Sequence, residues 1–186
     1  MPNYNGVWSL STQYQYADQW NLDNLGPPRG LFAGGSTALN GSSVVNVITF
    51  ITISTTGNSV DFGDLTAARK SLGGFSSSTR ACFAGGFIND DGDPVNTVDF
   101  VTIANAGNAT DFGDMSAAAF ETKGLSNLTR GVISLGFTSG KTDTMEYFTI
   151  ASVGNATDFG NLAAATVNAV GVSSSTRGVF AGGNEA

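Results

Sequence analysis

The sequence predicts an all-β protein built from a repeated unit of four short antiparallel strands, the blade of a β-propeller, with about three and a half units in the chain. Three observations carry that expectation. Separate sequence markers recur along the chain with one common spacing. Each marker has the length of a strand, and turn-forming clusters separate them. Four strands in about 40 to 50 residues, repeated, is the pattern of a propeller blade.

The first marker is "RGLFAGG" from Arg29, "RACFAGG" from Arg80, "RGVISLG" from Arg130 and "RGVFAGG" from Arg177, at intervals of 51, 50 and 47 residues. The second is an Asp-Phe-Gly piece beginning at Asp61, Asp111 and Asp158, at intervals of 50 and 47. Between them runs a third, "NVITFITIS", "NTVDFVTIA" and "DTMEYFTIA". In it Val98, Phe100 and Thr102 alternate with Asp99, Val101 and Ile103, the period of a strand with two distinct faces. A fourth marker, "GGFSSST", "GLSNLT" and "GVSSST", precedes three of the arginines. The serine clusters and "NAGNAT" supply turns. The alanine-rich "LTAARKSLGG" and "MSAAAFETKG" read as at most about one or two helical turns, each followed by glycine.

Asp-Phe-Gly also occurs in protein kinases, where its aspartate holds magnesium. Three evenly placed copies, a chain without histidine and no glycine-rich phosphate loop argue for a structural unit instead. Phe62, Phe112 and Phe159 are expected to fill the wedge between adjacent blades. The aspartate before each is expected to accept hydrogen bonds from turn amides. The paired glycines Gly34 and Gly35, Gly85 and Gly86, and Gly182 and Gly183 would let the strand turn sharply and neighbouring backbone approach.

These residues resemble a degenerate kelch repeat, in which a strand ends in a double glycine after an aromatic and a hydrophobic residue. Phe32-Ala33-Gly34-Gly35, Phe83-Ala84-Gly85-Gly86 and Phe180-Ala181-Gly182-Gly183 match that pattern. Thr144-Met145-Glu146-Tyr147 is similar to the following kelch strand, and "DFGDLTAAR" to its aromatic-to-arginine loop. Phenylalanine stands where kelch repeats usually carry tryptophan, and the third unit reads Ser134-Leu135-Gly136. The resemblance covers residues 29 to 186 and implies kelch-like blades.

The composition narrows the function. At 41% hydrophobic, the 186 residues can form a packed core. Charged residues are only 12%, and the net charge of −7 with a pI near 4.2 argues against a nucleic-acid partner. With no histidine and one cysteine, Cys82, zinc sites and most nucleophile-base pairs are excluded, and no cofactor is expected. Cys82 takes the slot of Leu31 and Val179 in sister strands and reads as a buried small hydrophobe. Neither a signal peptide nor a membrane span is expected.

Residues 1–28 lie outside the repeat and concentrate Trp8, Tyr14, Tyr16 and Trp20 before "GPP". This aromatic density suggests an anchor and linker against a partner surface. A strand packed on the chain's own propeller is the equal alternative. Propellers close with about four to eight blades. Three outcomes therefore stand: a longer protein with further blades, several chains completing a ring, or a small four-bladed ring closed with the N-terminal segment. Few residues remain for closure within one chain, which favours the first two.

"INDDGDP" groups Asp90, Asp91 and Asp93, a candidate for calcium, although the loop lacks the rest of an EF-hand and such runs are commonly exposed acidic turns. The sequons at Asn40, Asn108, Asn127 and Asn155 arise largely from repeated turns and are not expected to be glycosylated. Glu146 and Glu121 are the conceivable carboxylates for glycoside hydrolysis, but Glu146 falls at an ordinary face position of an alternating strand.

"SSSTRGVFAGG", "GNATDFG" and "GVWSLSTQYQY" also resemble repeat proteins of tailed bacteriophages, especially marine and cyanobacterial ones. That resemblance implies a non-enzymatic virion structural protein, a component of a tail fibre or appendage. Its implied partners are other virion proteins, further copies in a homo-oligomer and a host-surface glycan. A head decoration or connector protein is the alternative, and a carbohydrate-active enzyme a third.

Overall fold

A computed structural model describes residues 28–37, 43–88 and 92–185. Every regular element among them is a strand. The first sheet joins β1 (Arg29–Ala33), β2 (Val47–Thr52) and β3 (Val60–Asp64) in that order. The second runs β4 (Gly73–Ser76), β5 (Arg80–Ala84), β6 (Val95–Thr102) and β7 (Thr110–Ala119). The third runs β8 (Lys123–Ser126), β9 (Arg130–Ser134), β10 (Thr144–Thr149) and β11 (Thr157–Asn161). Two short pairs follow: β12 (Thr166–Val167) with β15 (Asn184–Glu185), and β13 (Val170–Ser173) with β14 (Gly178–Ala181). All pairings are antiparallel, and each of the two complete sheets holds one copy of the four markers in chain order.

The Asp-Phe-Gly piece has a defined local meaning. Val98 pairs with Gly113 and Asp99 with Asp111, which leaves Phe112 without a ladder partner. The same skip isolates Phe62 between Ile48–Gly63 and Thr49–Asp61, and Phe159 between Met145–Gly160 and Glu146–Asp158. An unpaired residue in one strand is a β-bulge, which bends the strand and re-aims a side chain. Each copy therefore turns its phenylalanine off the alternation of its own sheet. The neighbouring aspartates act locally as expected, Asp111 and Asp158 accepting from the amides of Gly113 and Gly160 at 3.3 and 3.2 Å.

The bulged rings anchor the packing of one sheet on the next. Ile48, Phe62 and Leu65 of the first sheet meet Ala81, Phe83 and Val101 of the second. Val98, Phe112 and Met115 of the second meet Ile133, Phe148 and Ile150 of the third. Ile48, Phe62, Leu65, Phe83 and Val101 correspond to Val98, Phe112, Met115, Ile133 and Phe148 one repeat later, so the two cores are copies of one interface. Burying a ring such as Phe112 contributes about 1.5–3 kcal/mol.

The helical turns that the alanine-rich segments left open are absent among the described residues. Residues 115–119 continue β7, with Met115 and Ala119 buried and Ser116 and Ala118 exposed, a two-residue period. Alanine favours helix by less than about 1 kcal/mol per residue. Pairing of Ala119 with Val95 and burial of Met115 outweigh that preference. In the first sheet, residues 65–72 form turns and irregular chain.

Candidate functional site

The repeat's chemistry converges where one sheet meets the next. The bulge exposes the backbone of the Asp-Phe-Gly strand to the Gly-Asn turn of the following sheet. Gly107 N donates to Phe62 O at 2.7 Å, and Ala109 N to Asp64 O at 2.7 Å. Asn108 Oδ1 accepts from Asp64 N at 3.1 Å. One repeat later Gly154 N donates to Phe112 O and Ala156 N to Asp114 O, both at 2.8 Å, and Asn155 Oδ1 accepts from Asp114 N at 3.1 Å. The glycine of the motif is required by this approach: at Gly113 (φ +138°) a β-carbon would stand 2.5 Å from Gly154 O.

The repeated arginine ties the same two sheets. Arg29, Arg80 and Arg130 lie over the rings of Phe50, Phe100 and Tyr147 at 4.6, 4.8 and 4.3 Å, a cation–π geometry. Those rings meet Phe62, Phe112 and Phe159 edge-on, at 5.9, 5.7 and 6.3 Å. Beyond the stack, Arg29 donates to Ile103 O of the next sheet at 2.6 Å, and Arg80 to Ile150 O at 3.0 Å.

A carboxylate completes each junction. Buried Asp99 accepts from Thr66 N at 3.0 Å and Thr66 Oγ1 at 2.7 Å, and pairs with Arg69 at 2.7 Å. Arg69 also donates to Gly85 O and Thr97 O at 3.1 and 2.8 Å. Burial pulls the Arg69 guanidinium below its ordinary range, opposed by the charge and hydrogen bond of Asp99. Glu146 repeats the role, accepting from Ser116 N and Ser116 Oγ. Glu146 is thus a buried structural acceptor at the seam, bonded to a neighbouring sheet.

Phe62 and Phe112 are buried in the cores between adjacent sheets. Phe159 is not: it is 45% exposed, against 2% for Phe112, because the pair β13–β14 is followed by no outer strands among the described residues. The first sheet shows the converse. Phe32 is exposed where Phe83 is buried, and Ile53 is 64% exposed where Ile150 is 1%.

The double glycines sit after β1, β5 and β14 with positive φ at Gly34, Gly35, Gly85, Gly86, Gly182 and Gly183. At Gly85 a β-carbon would stand 2.6 Å from Ala119 O, so close backbone approach is part of their role. Cys82 is fully buried, and burial pushes its thiol up to about 12.

Trp8, Tyr14, Tyr16 and Trp20 lie outside the described residues, as do Asp90 and Asp91. Asp93 is exposed, and its carbonyl accepts from Ile88 N at 3.2 Å. Among the described residues no three histidine, cysteine, aspartate or glutamate side chains converge. No described helix is long and apolar enough to cross a membrane. Neither a family model nor a curated protein matches the chain.

The stacking of the arginines and the seam role of Asp99 and Glu146 were not read from sequence. Their signal was present: each stacking arginine opens the first marker, and the fourth residue of the alternating run is Asp99 or Glu146 in both sheets that another precedes, but Thr49 in the first.

Proposed function

We propose that the chain is a non-enzymatic structural protein of a tailed-bacteriophage virion, a kelch-like β-propeller part of a tail fibre or related appendage. In this role it assembles with other virion proteins and further copies of itself, and presents its turns to a host-surface glycan. The observation that carries the reading is the use of the repeated polar markers in joining sheets at the two filled seams. The arginines, the buried carboxylates and the Asp-Phe-Gly strands all serve one kind of seam, leaving a hydroxyl-rich exterior with few charges, suited to contact.

A radial arrangement is supported by the inner strands. β4 and β8 pack side by side, as do β8 and β13. Ser76 N donates to Ser126 Oγ at 3.1 Å and Ser126 N to Ser173 Oγ at 3.2 Å, a ladder running from sheet to sheet. Arg29, Ser76, Ser126 and Ser173, one from each successive sheet, line a single cavity of about 370 Å³. The resemblance of "SSSTRGVFAGG" and "GNATDFG" to phage repeat proteins supplies the biological setting.

Mass spectrometry of purified particles from the virus that encodes this chain tests the reading. The chain is expected at stoichiometric abundance in particles, and in tail fractions after heads and tails are separated. Enrichment in heads would favour a decoration or connector role, and absence from particles would overturn the proposal.

A further inference from the structure

The third sheet ends in half of a seam, and the first sheet begins with the other half. On the third sheet Phe159 is exposed, and open space lies where a β-carbon on Gly160 would point. Arg130 stacks on Tyr147 as its counterparts do on their own rings. On the first sheet, Phe32 and Ile53 are exposed. Gly57 and Asn58 occupy the positions of Gly107 and Asn108, and Ile53 that of Ile103, whose carbonyl receives Arg29.

The position after the third sheet is partly filled by β13 and β14. They supply the two inner strands of a further unit but no partner for the Asp-Phe-Gly strand. Between them and the third sheet an apolar cavity of about 460 Å³ opens among Val132, Met145, Phe159, Leu162, Val179 and Phe180. The first sheet has the complementary lack, since β1 is its edge and has no inner strand among the described residues. The segment through β1, "RGLFAGG", differs from that through β14, "RGVFAGG", only at Leu31 against Val179. Either segment therefore suits the register in which β13 holds Val179 opposite Val172 and Phe180 opposite Gly171.

We propose that the first sheet of a second copy docks on the third sheet of this chain, with the incoming β1 replacing β14 beside β13. The composite β13–β1–β2–β3 has four strands in the order of the second and third sheets. It brings Gly57 and Asn58 to the Phe159–Asn161 strand and the Ile53 carbonyl to Arg130. The polar rung agrees at both ends. Where filled seams set Thr66 or Ser116 against Asp99 or Glu146, this one sets Ala163 against Thr49 and so buries no carboxylate. The contact is heterologous, so copies propagate head to tail until a ring closes. This deepens the assembly part of the proposed function and does not depend on where in a virion the chain resides.

The test is directional cross-linking of the full chain. Asn58→Cys and Asn161→Cys variants are made separately, then mixed and oxidised. The equivalent Asn108 Oδ1 and Asp64 N lie 3.1 Å apart in the filled seam. The mixture is expected to give a disulfide-linked heterodimer, while each variant alone gives none. Ile53→Asp in the first variant, or Phe159→Asp in the second, is expected to abolish the product. Val179→Pro, which weakens β14 without touching β1, is expected to raise the yield. Homodimers from a single variant would show a different, isologous contact and overturn the proposal. It also fails if the chain sediments as a monomer at every concentration with Phe159 shielded from oxidative footprinting, since residues 1–27 or another segment would then cover the ring. Absence of the chain from virus particles would leave this result standing, so the two readings fail separately.

Discussion

Phe112 and Phe159 occupy the same position of the same motif, yet their truncation is expected to cost different amounts. Phe112 is buried and meets Phe100 and Phe148 edge-on at 5.7 and 5.8 Å. Phe112→Ala removes the transfer free energy of the ring and leaves a cavity between two sheets, a loss of about 3–5 kcal/mol. Phe159 keeps nearly half its surface in solvent and meets one aromatic ring among the described residues, Tyr147 at 6.3 Å. Its truncation forfeits about half of a ring's burial, roughly 1–1.5 kcal/mol, and opens onto existing free space. Urea unfolding followed by far-UV circular dichroism, at protein concentrations where the chain is monomeric, reads the difference. With a slope of about 1–3 kcal/mol per molar urea, the two midpoints should separate by roughly 0.5 M or more. Equal losses would refute the reasoning, because the third seam would then be filled within the monomer.

Asp99→Ala is expected to destabilise by about 3–5 kcal/mol, since it leaves the buried Arg69 guanidinium without its counter-charge. The double variant Arg69→Met, Asp99→Leu should recover most of that loss in the same urea titration; a single-variant loss below about 1 kcal/mol contradicts the role assigned to the pair. Cys82 should resist iodoacetamide at pH 8 in the folded chain and react only on unfolding, because its thiol is pushed up from 9.0 to about 12. The sign of the linked stability follows from the raised value. The contribution is fully present below pH 9 and is lost as pH rises toward 12, by at most about 1.4 kcal/mol per pH unit. Cys82→Ala should remove that part of the alkaline dependence, and an unchanged pH profile would contradict it.

The strands were legible because each repeats with its turn, and a repeated error is harder to make than a single one. Spacing also identified Phe62 and Phe112 as seam residues, since a catalytic group has no reason to recur every 47 or 50 residues. The bulge that makes Asp-Phe-Gly useful was hidden, because alternation reports faces and says nothing of a skipped partner. The alanine runs left a helical turn open for a related reason: local propensity favours one, while pairing with Val95 in the adjoining strand holds Ala119 extended. Asp99 and Glu146 read as ordinary face positions because within one strand a buried acceptor looks like a solvated one. Only their partners in another sheet, Thr66 and Ser116, distinguish them. The exposure of Phe159 depends on strands beyond its own unit, which no single repeat encodes.

Amide hydrogen exchange resolved by residue tests the seam most directly. Gly107, Ala109, Gly154 and Ala156 donate across the two filled junctions and should exchange slowly, together, and with the free energy of global unfolding. Gly57 and Ser59, at the same positions of the first sheet, should exchange rapidly in the monomer and slow as concentration rises. Fast exchange at the first four amides, at rates of open turns, would contradict a chain held together by one repeated sheet-to-sheet contact.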